Sequence, residues 1–70
     1  MQDLRDELLA CFESHAKGHI DKHRANVEVY LSNPVGVGEH PDIMEAIEKE
    51  IEEVARYDDM LEMIYKYFKD

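Results

Sequence analysis

Both prolines and two of the three glycines of this chain fall within one short run, Asn33-Pro34-Val35-Gly36-Val37-Gly38-Glu39-His40-Pro41. This placement constrains the fold more than any other feature, because proline breaks a helix and glycine loosens one. The flanking segments contain no proline, so each is free to run as one long element. Pro34 pushes Asn33 out of the α region, which ends the first element near Ser32. Pro41 suits a first helical position, and Asp42 and Glu45 place negative charge where the macrodipole of a new helix favours it.

The periodicity on both sides is helical. In the first segment Leu8, Leu9, Phe12, Ala16, Ile20, Val27, Tyr30 and Leu31 fall on one arc at about 100° per residue. Asp3, Asp6, Glu13, Lys17, Asp21, Arg24 and Glu28 occupy the opposite arc. Gly18 interrupts the middle at a cost of about 1 kcal/mol relative to alanine. It marks either a weak turn or the close approach of a second helix. In the second segment Ile47, Val54, Leu61 and Phe68 repeat every seven residues beside Ile43, Glu50, Tyr57 and Ile64. This is an a/d seam, which Ile51 and Tyr65 are expected to widen. Glu45–Lys49, Glu52–Arg56 and Glu62–Lys66 are spaced to pair along the helix surface.

The predicted fold is therefore all-α: a helix over about 2–32, a loop over 33–41, and a helix over about 42–68, forming one domain over 1–70. A short connection favours an antiparallel hairpin. Counting outward from the loop sets Leu31 opposite Ile43, Val27 opposite Ile47, Ile20 opposite Val54, Ala16 opposite Tyr57–Asp58, and Phe12 opposite Leu61. Two helices leave part of each stripe in water. Met60, Met63 and Tyr67 project off the seam and make the end of the second helix apolar on nearly every side. A helix apolar all round is buried all round. The expected solution is a homodimer of hairpins packed as a four-helix bundle, with Met60, Leu61, Met63, Ile64, Tyr67 and Phe68 at the interface. An unidentified protein partner at that end is the alternative.

Composition narrows the function. A net charge of −9 argues against direct nucleic-acid binding, which runs on Lys and Arg. The acids concentrate in the second half, where a solvated face is the ordinary reading and an acidic inhibitor or nucleic-acid mimic the sharper one. One cysteine, Cys11, precludes an internal disulfide and fits a reducing compartment. No stretch approaches the roughly 20 apolar residues of a membrane span, and a cytoplasmic protein is expected.

The candidate chemistry lies in Cys11, His15, His19 and His23, spaced by four along one side of the first helix. Adjacent members can chelate a transition metal, and the pairing above brings Asp58 towards His15 or His19. A metal site of His15, His19 and Asp58, with Cys11 nearby, is thus an alternative function. The favoured reading keeps His19 and His23 as hydrogen-bonded core residues with Asp58 pairing one of them, and no cofactor. A pH-sensitive switch through the histidines is a third possibility. The Gly36/Gly38 loop is not a phosphate loop, lacking a preceding strand and a Lys-Ser/Thr, with Glu39 and Asp42 repelling an anion. No nucleophile sits in a recognisable catalytic setting, so enzymatic activity is not expected.

The stretch from Asn33 through Ile43, with Glu45-Ala46-Ile47-Glu48 and the earlier Gly18-His19-Ile20-Asp21-Lys22-His23-Arg24, resembles small uncharacterised proteins of tailed bacteriophages infecting marine cyanobacteria. The resemblance covers most of the chain and implies a protein made in an infected bacterial cytoplasm. An assembly accessory or host-factor binder is the role it suggests.

Overall fold

The computed structural model describes residues 3–32 and 42–69. The loop expected at 33–41, and the first residues of a helix beginning near residue 2, lie outside the described residues. Two helices account for nearly all of the rest: α1 (Leu4–Ser32) and α2 (Ile43–Tyr67).

Each helix starts at an aspartate. Asp3 Oδ1 accepts from the Asp6 N–H at 2.9 Å, and Asp42 Oδ1 accepts from the Glu45 N–H at 2.8 Å. Each carboxylate satisfies an amide that has no partner within its helix. Asp42 thus caps α2 from outside its first turn. At the far end the Phe68 and Lys69 N–H groups both donate to the Ile64 carbonyl at 3.0 Å, closing the last turn.

The helices pack antiparallel as a hairpin, with His23 beside Glu50, Glu13 beside Tyr65 and Arg5 beside Phe68. Ala16, Tyr57 and Leu61 form the buried centre, with Phe12, Ile20 and Met60 packed against it. This is the register in which Ala16 faces Tyr57 and Phe12 faces Leu61. Ala16 is fully covered because its small side chain lets the two helices approach there.

Several flanking expectations are corrected. Leu8 and Leu31 are 59% and 60% exposed, so they lie outside the stripe that holds Leu9, Val27 and Tyr30. Ile51 faces outward and Tyr65 stays about half in water, reaching α1 through its hydroxyl; the seam of α2 widens the other way, towards the half-buried Ala46, Glu53 and Met60. Glu13, placed on the polar arc by periodicity, is half-buried on the contact edge, where it pairs with Lys69 and accepts from the Tyr65 hydroxyl at 3.1 Å. The Lys69 ammonium, more than Tyr65, holds the Glu13 carboxyl below its ordinary range, and the same contact raises Lys69. Lys49 pairs with Glu45 at 3.4 Å as its spacing requires, whereas Arg56 reaches Glu53 rather than Glu52. Lys66 leans over the Tyr67 ring instead of Glu62.

The molecule measures 53 × 19 × 13 Å. Its thinnest dimension is about that of one helix with its side chains, 10–12 Å. The hairpin is a single layer, and both of its broad faces meet solvent. No helix among the described residues is long and apolar enough to cross a membrane.

Candidate functional site

Histidines spaced by four climb one edge of α1, and α2 meets them with an aromatic ring and a carboxylate. The His19 ring stacks on Tyr57 at 4.4 Å between centroids and 8° between planes. His15 meets the same tyrosine edge-on at 6.0 Å, and His15 and His19 lie 4.6 Å apart. The Arg56 guanidinium lies 5.1 Å from the Tyr57 centroid, adding a cation–π contact. The four side chains form a continuous polar–aromatic strip along the joint between the helices.

One turn further along, the His23 Nδ1–H donates to Glu50 Oε2 at 2.5 Å, and Asn26 Nδ2 donates to the same oxygen at 3.1 Å. His23 and Glu50 are half-buried, so the pair is shielded from water more than a surface ion pair is. The His23 bond holds the Glu50 carboxyl below its ordinary range, against the opposing effect of burial, with Asn26 helping. His19 is pushed in the disfavoured direction for a cation: desolvation lowers it first, then repulsion from the neighbouring His15, Lys22 and His23, with Glu53 opposing.

Glu50 therefore does what was expected of Asp58. Asp58 is exposed, because it follows Tyr57 by one residue and is rotated about 100° away from the joint. The histidine that receives a carboxylate is His23, which stands seven residues after Ala16 and so shares its direction. Both facts were latent in the sequence: Glu50 is itself a member of the a/d series.

The proposed metal set is not assembled. Cys11 is exposed with a free thiol, Asp58 points elsewhere, and among the described residues no three His, Cys, Asp or Glu side chains gather around a common point. His15 and His19 alone supply two nitrogens, half of a tetrahedral set. A shallow hollow of about 300 Å³ lies beside them, lined by Ser14, His15, Gly18, His19 and Lys22. A Cβ added at Gly18 would meet nothing within 4 Å, so α2 makes no close approach there.

The expected interface residues divide. Leu61 is consumed by the hairpin's own centre; Met60, Met63 and Ile64 are half-buried; Tyr67 and Phe68 remain 62% and 51% exposed. Leu4 and Leu8 at the start of α1 are exposed near that end. Comparisons with protein-family models, curated proteins and solved structures return no match.

Proposed function

We propose that this chain is a non-catalytic helical module whose work is to associate, first with copies of itself, as an assembly or protein-binding element. The observation that carries the reading is the surface a single-layer hairpin leaves in water. A compact monomer of 8.2 kDa exposes about 4,500 Å² by the usual mass scaling, whereas this hairpin exposes 5531 Å². The excess, about 1,000 Å², is on the scale of the ~800 Å² that each partner gives to a standard interface. Leu4, Leu8, Val29, Met44, Ile51 and Tyr67 are all more than half exposed. Burying such residues against a second hairpin makes the four-helix bundle that short helical chains use for stability.

No reaction is part of this proposal, and the setting the cyanophage resemblance suggests, an infected bacterial cell, belongs to it only as context. Light scattering over a range of concentrations, with and without a chelator, tests it. A dimeric or larger mass that is indifferent to the chelator is the expected result. A monomeric mass at every soluble concentration overturns it.

A further inference from the structure

Along the outer side of α1 run Leu4, Leu8, Cys11, His15, Gly18, Lys22, Ala25 and Val29. Each of the eight is exposed. Their spacing alternates four and three without interruption, the spacing of a helix seam that meets another helix. Apart from the His15 ring, whose inner edge meets Tyr57, this seam lies outside the hairpin's own contact, and no residue in it is acidic in a chain with 17 acids.

Over these eight positions the alternation reads the same in both directions, so an antiparallel copy can lie across its centre, between Ala16 and Lys17, with every level in register. An antiparallel copy of α1 laid across that centre sets Leu4 against Val29, Leu8 against Ala25, Cys11 against Lys22, and His15 against Gly18. Large residues meet small ones at two of these levels. A parallel copy would instead set Lys22 against Lys22 and His15 against His15. The corresponding outer stripe of α2, Met44, Glu48, Ile51, Ala55, Asp58, Glu62 and Tyr65, is also wholly exposed. Reversed upon itself, that stripe would bring Glu48 to Glu62 and Asp58 to Ile51, juxtaposing like charges and covering a carboxylate with nothing to pair it.

The hollow at Gly18 supplies an independent observation. Four of its lining residues, His15, Gly18, His19 and Lys22, are related as i, i+3, i+4 and i+7. That diamond is the hole into which a side chain of a facing helix inserts. In the antiparallel register the side chain arriving there is the second copy's His15.

From these features we infer that two hairpins pair through the outer face of α1, antiparallel, about a two-fold axis passing between Ala16 and Lys17, each His15 seated in the other copy's Gly18 hollow. The inference rests on the self-association reading and specifies an interface for the α1 part of its exposed apolar surface, Leu4, Leu8 and Val29. Gly18 then has a reason that the hairpin alone does not provide: any side chain there would fill the hole. Lys22 lays its aliphatic stem along the second copy's Cys11 and extends its ammonium towards Glu7, one turn away.

Oxidative cross-linking reads the register directly. Positions 11 and 22 of one α1 are about 16 Å apart along the helix, beyond the roughly 7 Å Cα separation a disulfide spans. They meet only between copies. Lys22→Cys, with native Cys11 retained, should become a covalent dimer under copper–phenanthroline, while the wild type, whose two Cys11 residues are equally far apart, should not. Gly18→Leu should keep its helicity, since nothing in its own hairpin opposes the side chain, yet weaken dimerisation about tenfold or more through overpacking. A wild type cross-linked through Cys11 overturns the antiparallel register. A dimer that neither cross-links in Lys22→Cys nor weakens in Gly18→Leu overturns the α1 interface while leaving self-association standing. A wild type monomeric at all concentrations removes both.

Discussion

Truncating Tyr57 should come close to unfolding the protein. Its ring is one of three buried side chains among the described residues, stacked on His19, edge-on to His15 and covered by Arg56. Replacing a buried aromatic by alanine costs about 3–5 kcal/mol where the site cannot collapse. A single-layer hairpin closes part of the gap, which puts Tyr57→Ala at the lower figure, about 3 kcal/mol. A chain of this length has about 3.5–10 kcal/mol in total, so the loss is about 30% or more of the whole. Tyr57→Leu keeps apolar bulk and forfeits the ring contacts, about 0.5–1.5 kcal/mol for the stack and ~0.5–1 kcal/mol for the exposed cation–π pair. Urea titration followed by circular dichroism, at one fixed protein concentration, reads both. With a slope near 1 kcal/mol/M for a small protein, Tyr57→Ala should lower the midpoint by about 3 M. A double-mutant cycle with His19→Ala should return a coupling of about 0.5–1.5 kcal/mol. A Tyr57→Ala loss below about 1 kcal/mol, or a vanishing coupling, would refute the claim that this stack organises the centre.

Two further outcomes follow from the caps and the charges. Asp42→Ala removes the acceptor for the Glu45 amide and should cost about 1 kcal/mol, visible as a drop of several degrees in Tm, while Asp42→Asn restores most of it. Stability should also fall with acid in two stages, each with a defined sign. His19 is depressed in the fold, so its contribution is complete above the ordinary value of 6.5 and is lost as pH falls below it, a stage that His19→Phe should flatten. Glu50 is depressed too, so its contribution is present above 4.5 and lost below, and Glu50→Gln should shrink that stage alone. Chemical denaturation repeated from neutral pH to pH 3 would check both, and identical profiles for wild type and variants would refute them.

The hairpin was legible because its determinants are local. The Pro/Gly run divides the chain, and the seven-residue recurrence of Ile47, Val54 and Leu61 sets the face of α2. The level at which Ala16 meets Tyr57 then follows from counting outward. The edges of each stripe were harder. Leu8 and Leu31 are as hydrophobic as Leu9 and Val27, and an arc drawn on one helix cannot say where the partner's surface ends. In a hairpin one layer thick the contact is narrow, so apolar residues at the edge of the arc, such as Leu8 and Leu31, stay in water. The carboxylate partner was misplaced for a related reason. Asp58 is an acid among apolar neighbours, but one residue of helix rotation separates it from Tyr57. Glu50 already occupied the seam, and its pairing with His23 became visible only once α1 was set against it.

The polar ties between the helices are graded in sequence separation, from 24 residues for Asn26–Glu50 and 27 for His23–Glu50 to 52 for Glu13–Tyr65 and 63 for Arg5–Phe68. Bringing together groups 63 apart costs about 0.9 kcal/mol more chain entropy than bringing together groups 24 apart. The inner ties form against the smaller penalty, and each one shortens the loop that the next must close. Among the polar ties the hairpin is thus arranged to zip: those on Glu50 carry the smallest closure penalty, and the Arg5 guanidinium on the Phe68 carbonyl carries the largest.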